Sequence, residues 1–290
     1  MSERDFVIIG GDMRMCHCAR FLTEWGFGIG AFANAAAGSL KGVAMYSGLE
    51  EAMSASGNIV FGIPFAKDGV VSAPLCNCTI TAESIANLIK PHHFIMAGMP
   101  GEFKTLCETK GAVCVDYGAR EDFCLLNAVP TAEAVIEILI KKLPVTLWES
   151  KILIMGYGRI GKILAQKLSY LGAEVTVTAR KNVDFAKARA EGIKCVQTSA
   201  DIQNGREYTV VINTIPQKIL TEKSFSQLRS DCLVVDVSAY PGYVLPEEGA
   251  VYGVEVVGAF GLPGKTAPVT AGESIATTIR NTKATKEYIL

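Results

Sequence analysis

Residues Lys151 to Arg180 read KILIMGYGRIGKILAQKLSYLGAEVTVTAR. Ile152 to Met155 form a short, unbroken apolar run, the pattern of a strand buried on both faces of a parallel sheet. Gly156, Gly158 and Gly161 follow at once in the spacing G-x-G-x-x-G. Ile160, Ile163, Leu164, Leu168 and Leu171 then recur at helical spacing, and Gly172 stops the helix. A second strand, Val175 to Thr178, ends at Arg180. Strand, glycine turn, helix and strand in this order make a dinucleotide-binding unit. The first glycine allows the tight turn, the second lets backbone approach a pyrophosphate, and the third lets helix and strand pack closely. Arg159 and Ile160 open the helix, whose free N–H groups and positive dipole end face the phosphates. An NAD-preferring unit ends its second strand in Asp or Glu, which accepts a hydrogen bond from the ribose 2′-hydroxyl. Here Arg180 and Lys181 stand there, and no acid precedes Asp184. An arginine fork suits a 2′-phosphate, so the sequence predicts NADP over NAD.

Outward from this unit, strands are expected at Lys194 to Gln197, Thr209 to Asn213, Cys232 to Val237 and Tyr252 to Val256. Before it, Val129-Pro130-Thr131 is expected to open an amphipathic crossover helix, with Pro130 in its first turn and Pro144 ending it. The first half alternates strands (Asp5 to Gly11, Phe27 to Phe32, Asn58 to Ile63, His93 to Ala97, Ala112 to Asp116) with helices (Met13 to Trp25, Thr81 to Lys90, Glu102 to Lys110). Alternation of this kind means a parallel sheet with helices on both faces. The expected fold is therefore α/β, with two doubly wound parallel-sheet domains and a cleft between them. The first spans residues 1–128, the crossover helix 129–144, and the Rossmann dinucleotide-binding domain 145–270. The final helix, 271–290, returns to the first domain.

The chain has 290 residues, a formal net charge of -1 and 9 cysteines, an odd count. That charge leaves no basic footprint for nucleic acid. No apolar run reaches the ~18 residues of a membrane helix, and the N-terminus lacks a basic region before an apolar core. Scattered cysteines suit reduced thiols in a cytoplasm. Cys16-His17-Cys18 and Cys76-Asn77-Cys78 miss the metal-knuckle spacing, so no metal is expected.

In an open α/β sheet, ligands lie outside the carboxyl ends of the strands. That selects Gly10 to Arg14, Ile63-Pro64 and Gly98 to Pro100 in the first half. In the second it selects Thr214-Ile215-Pro216, Ser238 to Gly242 and Gly261 to Pro268. Asp12 and Arg14 sit where the first helix begins, Arg14 as a candidate carboxylate ligand beside helix N–H groups. His17 is a candidate base. Glu133 is the acid best placed for proton transfer, as a first-turn residue of the crossover helix.

The runs IIGGDMR (8–14), GVVS (69–72), VPTAE (129–133), GYGRIG (156–161), INTIP (212–216) and GLPGKTAPVTAG (261–272) together resemble the A subunit of dipicolinate synthase. The resemblance covers nearly the whole chain and keeps the motif order. Two departures stand out: Pro241-Gly242-Tyr243 where relatives often have Pro-Gly-Gly, and Val269 where they often have lysine after Ala-Pro. The resemblance implies oxidation of dihydrodipicolinate, or its hydroxytetrahydro precursor, to pyridine-2,6-dicarboxylate in the cytoplasm of a sporulating mother cell. It also implies the B subunit of dipicolinate synthase as partner. The substrate would be a dianion, for which Asp12, Arg14, Ser72, Thr131, Lys265 and Thr266 are the candidate contacts. A homo-oligomer is expected. One alternative is an oxidoreductase of another small acid, such as a 2-hydroxy acid. Against it, all 3 histidines lie in the first half, not in the nucleotide half. The other alternative is a non-catalytic dinucleotide-binding component of a complex.

Overall fold

The structure is a computed structural model that describes residues 4–238 and 242–289, with side chains to residue 285. Ala239, Tyr240 and Pro241, within one expected strand-end loop, lie outside the described residues. In chain order the elements are β1 (Phe6–Ile9), α1 (Met13–Glu24), β2 (Ile29–Phe32), β3 (Val43–Met45), α2 (Leu49–Ser54) and β4 (Asn58–Phe61). A small hairpin, β5 (Ala66–Lys67) and β6 (Val70–Val71), precedes α3 (Ala82–Leu88), β7 (Phe94–Ala97), α4 (Glu102–Thr109), β8 (Val113–Asp116) and α5 (Glu121–Lys142). Then come β9 (Lys151–Met155), α6 (Arg159–Tyr170), β10 (Glu174–Ala179), α7 (Asn182–Ala190), β11 (Lys194–Gln197) and β12 (Val210–Asn213). The chain closes with α8 (Glu222–Gln227), β13 (Leu233–Asp236), α9 (Pro246–Ala250), β14 (Glu255–Gly258), α10 (Leu262–Thr266) and α11 (Pro268–Ile289).

The chain forms two compact units, Met1–Asn127 with Pro263–Leu290, and Ala128–Leu262. Each carries a six-stranded sheet, in the orders β3-β2-β1-β4-β7-β8 and β11-β10-β9-β12-β13-β14. All main-sheet pairings are parallel. Both sheets follow the same doubly wound walk, and its direction reverses between β1 and β4 in one and between β9 and β12 in the other. The two doubly wound parallel sheets read from the sequence are present.

Burial explains the unbroken apolar strands. In the second unit Ile152, Ile154, Val210, Ile212 and Val235 pack under Leu164 and Leu168 of α6 and Val135 and Leu139 of α5. Their alternates Leu153, Met155, Val211 and Val234 pack on the other face with Phe225 and Leu228. In the first unit Phe6 and Ile8 meet Met15 and Leu22 of α1 together with Ile275 and Ile279 of α11. Val7 and Ile9 face Ile85 and Phe103 instead. A Cβ on Gly272 would stand 2.6 Å from the Arg14 carbonyl oxygen and 2.5 Å from His17 Cβ, so only glycine lets α11 lie this close on α1.

Several expectations need correction. Helix α5 starts at Glu121, so Pro130 lies inside it. Proline there removes one N–H from the ladder. The helix continues because Phe123, Ala128, Ala132, Val135 and Leu139 are buried along it. Acids Glu121 and Asp122 begin it and Lys141 and Lys142 end it, as the helix dipole favours. Glu133 and Thr131 are therefore not first-turn residues. By length and composition α5 also passes for a membrane span, where no such run was expected. The segment between β2 and β4, where no element was expected, contains β3 and α2, and β14 begins later than the sequence suggested. Cys76 and Cys78 are bonded to each other, with Cα atoms 5.4 Å apart, where reduced thiols were expected. They sit in a loop, where residues two apart can face one another as they cannot on a helix.

Buried His93 couples this fold to pH. Its Nδ1 accepts a hydrogen bond from the Lys90 N–H at 3.1 Å. Burial first, and then the neighbouring His92, hold its imidazole below the usual histidine range. The unfolded chain therefore binds a proton that the folded chain rejects, and stability falls as pH drops below about 6.5 toward the depressed value. Asparagine keeps an acceptor but does not titrate. In urea unfolding between pH 7 and 5, His93→Asn should flatten this acid-side slope. An unchanged slope would assign it elsewhere.

Candidate functional site

At the carboxyl edge of the second unit, the β9–α6 turn has the form its three glycines require. Gly156 adopts φ +100, and a Cβ there would stand 2.6 Å from Thr214 Oγ1 and 3.1 Å from Ile215 Cγ1. A Cβ on Gly161 would stand 2.3 Å from the Gly156 carbonyl oxygen. Above Gly158 nothing lies within 4 Å. Two glycines are thus demanded by packing, and the third faces open space where a phosphate can approach backbone. Gly158 caps α6, and Arg159 and Ile160 form its first turn.

Neighbouring strands brace the turn. Thr214 Oγ1 donates to the Met155 carbonyl at 2.9 Å, and the Ile215 N–H donates to Asn213 Oδ1 at 3.1 Å. Asp236, fully buried, accepts from the N–H groups of Ser238 (2.8 Å) and Val244 (2.6 Å) and from Asn213 Nδ2 (3.3 Å). Sequence reading missed this carboxylate; an acid closing an apolar strand beside a glycine- and proline-rich loop was the available signal. Pro216 follows in the same loop. Arg180 and Lys181 are exposed just past β10, with Lys181 at the N-cap of α7. These residues fit a dinucleotide: an open glycine, a helix N-terminus, and two cations past the second strand.

The matching edge of the first unit is built differently. Gly10 and Gly11 adopt φ +65 and +83. The Ser72 carbonyl accepts from the Gly11 N–H at 2.6 Å, so the unit's own chain fills the place over this turn. Asn34, fully buried, donates through Nδ2 to the carbonyls of Gly10 (3.1 Å) and Gly11 (3.2 Å) and accepts from the Ala37 N–H. It holds the turn's shape, and nothing in the sequence analysis singled it out. Asp12 caps α1 through the Arg14 N–H at 2.9 Å.

Arg14 is not a free cation. Its Nε donates to both Asp12 oxygens at 3.0 Å, and its Nη2 donates to Asp12 Oδ2 at 2.8 Å and to the Ile63 carbonyl at 2.5 Å. Among the described residues its Nη1 has no hydrogen bond. A Cβ on Gly264 would stand 3.0 Å from Arg14 Nε, which brings Lys265 and Thr266, both exposed, to the same neighbourhood as Asp12 and Arg14. His17 is half-buried one turn further along α1, beside α11. Burial, then the Arg20 charge, holds its imidazole below the usual range, so it is neutral at pH 7.

One candidate lies apart from these clusters. Glu133 pairs with Lys167 Nζ at 2.8 Å, in the last turn of α6. That is the far end of the helix from the glycine turn, roughly 13 Å away at 1.5 Å rise per residue. Thr131 is buried within α5, 7% exposed.

Residues 5–118 match the family model for the N-terminal domain of the dipicolinate synthase A subunit. Residues 127–243 match that for the NAD-binding domain of S-adenosyl-L-homocysteine hydrolase. The dipicolinate synthase A subunit of Bacillus subtilis (strain 168) is 28% identical over 211 residues, 72% of this chain and 71% of that protein. The crystal structure of its counterpart from Bacillus halodurans superposes with a TM-score of 0.88 at 27% identity, over 97% of this chain and 98% of that one.

The chain is similar to the A subunit of dipicolinate synthase.

The Bacillus subtilis structure superposes equally well, with a TM-score of 0.88 over 100% of this chain and 99% of that one, at 24% identity. The likeness to the dipicolinate synthase A subunit thus extends through both units. Together with the NAD-binding domain match it supports a dinucleotide-dependent, dehydrogenase-like protein.

The glycine geometry gives a paired prediction. Gly161→Ala puts a methyl group into the Gly156 carbonyl and should cost about 1–3 kcal/mol of stability. Gly158→Ala meets no neighbour and should leave stability within about 0.5 kcal/mol. It should nevertheless weaken dinucleotide binding more than tenfold, because the new methyl stands where a pyrophosphate approaches. Thermal unfolding and a binding titration on both variants check this. Equal effects of the two substitutions on stability would contradict it.

Proposed function

We propose that this protein oxidises dihydrodipicolinate, or its hydroxytetrahydro precursor after loss of water, to dipicolinate, with NADP as the acceptor. The observation that carries the reading is the open glycine turn of the second unit, with Arg180 and Lys181 past its second strand, in a chain similar to the dipicolinate synthase A subunit. When bound, the nicotinamide supplies the hydride acceptor that aromatisation requires. The chain's own residues do the rest. Gly158 and the first turn of α6, with Arg159 and Ile160, hold the pyrophosphate. Thr214, Ile215 and Pro216 flank it. Arg180, with Lys181, grips the 2′-phosphate.

A dicarboxylate needs cations and donors. Arg14 offers its Nη1 edge, held in place by Asp12 and by the Ile63 carbonyl. Lys265, Thr266 and the Ser72 hydroxyl are the further contacts. Oxidation removes one hydride and one proton, and neutral His17 is the candidate acceptor for the proton. Glu133 is not proposed as the base, because its carboxylate is engaged by Lys167. The protein would act in the cytoplasm of a spore-forming bacterium, as a homo-oligomer working with the B subunit of dipicolinate synthase.

Two substitutions separate the parts of this reading. Arg180→Ala should weaken NADP by about tenfold or more, for the loss of a charge-assisted contact, and leave NAD binding nearly unchanged. Wild type binding NAD as tightly as NADP, or Arg180→Ala weakening both alike, would remove Arg180 from the role. Arg14→Ala should raise KM for the dicarboxylate roughly ten- to a hundredfold while the dinucleotide Kd holds. Unchanged steady-state kinetics would retire Arg14 as a substrate ligand.

A further inference from the structure

Thr178 is a buried polar residue bonded to the glycine turn that neither the dinucleotide motif nor the chemistry above uses. It lies on β10, 3% exposed. Its Oγ1 accepts a hydrogen bond from the Gly156 N–H at 3.0 Å. The Thr198 hydroxyl, just past β11, donates to the same oxygen at 3.1 Å. The Thr198 N–H in turn donates to the Ala179 carbonyl at 2.9 Å. Both acceptor positions of the Thr178 oxygen are thus engaged, one by the first residue of the turn and one by the neighbouring strand end.

We propose that Thr178 is a positioning residue for dinucleotide binding: it turns the Gly156 N–H into the sheet and so sets the direction in which the following N–H groups face the pyrophosphate. Gly156 has a left-handed φ, and its carbonyl is hemmed in by Gly161. The Gly156 N–H belongs to the preceding planar peptide, Met155–Gly156, and Thr178 fixes the orientation of that plane. Thr198 holds Thr178 in turn, and Arg180 lies two residues beyond Thr178. The same short stretch of β10 therefore orients the pyrophosphate site and carries the 2′-phosphate site. The role exists only if the turn holds a dinucleotide.

The test uses the purified full chain and two ligands. NADP+ contains a pyrophosphate; adenosine 2′-monophosphate keeps the adenosine and the 2′-phosphate and has no phosphate at the 5′ position, where the pyrophosphate is attached. Thr178→Val replaces the hydroxyl by a methyl group of similar size. It should bind NADP+ roughly tenfold more weakly than wild type and bind the monophosphate within about twofold. Thr178→Ser, which restores the hydroxyl, should recover NADP+ affinity. A valine variant that binds NADP+ as wild type does, that loses both ligands in parallel, or that serine fails to rescue, would overturn the proposal. Should the valine variant not fold, Thr198→Val decides: it should weaken NADP+ several-fold with the monophosphate unchanged, and unchanged NADP+ affinity would sink the role. Wild type that binds neither NADP+ nor NAD+ would instead fail the dinucleotide reading itself, a result told apart by the unsubstituted protein alone.

Discussion

The turn from β9 into α6 closes because the Gly156 carbonyl and Gly161 can occupy space that any side chain would fill: a Cβ on Gly161 would stand 2.3 Å from that oxygen. The close approach lets α6 lay Leu164 and Leu168 on Ile152 and Ile154. It also aims the N-terminus of α6 at the carboxyl edge of the sheet, beside the loops that follow β10 and β12. The order of the sheet puts those loops on either side of the glycine turn, because β9 lies between β10 and β12. One packing constraint thus fixes both the core of the second unit and the place where it can hold an anion.

The first unit follows the same strand walk and reaches a different result. Its turn also begins with glycines in the left-handed region, yet the Ser72 carbonyl takes the Gly11 N–H and Asn34 ties down the carbonyls. What this edge offers is the Arg14 guanidinium, oriented by Asp12. The two units share a fold and differ in what their first turn leaves open. Function therefore has to be read from the edge and not from the sheet.

Most of the fold is legible in the sequence because parallel strands buried on both faces are largely apolar, as at Phe6 to Ile9 and Val210 to Ile212. Val43 to Met45 is not, because an outer strand of three residues, only partly buried, is too short for its apolar run to stand out. The start of α5 is masked because proline is favoured in a first turn, whereas here burial of residues on both sides carries the helix through it. Within the sites, the glycine turn and the Arg180 position are legible from spacing alone. Asn34, Asp236 and Thr178 are not, because each works by side-chain hydrogen bonds that shape a loop or turn, which leave no periodic trace. Arg14 stands out in the sequence, but its pairing with Asp12 two residues away, which leaves only its Nη1 edge to a ligand, depends on side-chain geometry that spacing does not reveal.

The most direct measurement is stoichiometric. The purified chain, alone and with the second subunit, would be given NADP+ and freshly generated dihydrodipicolinate, and NADPH and dipicolinate would be followed together. Hydride transfer by this protein predicts equal amounts of the two products, formed at a rate proportional to its concentration. Tight NADP+ binding with no NADPH formed, whether or not the second subunit is present, would contradict that account and leave a protein that holds the dinucleotide without using it.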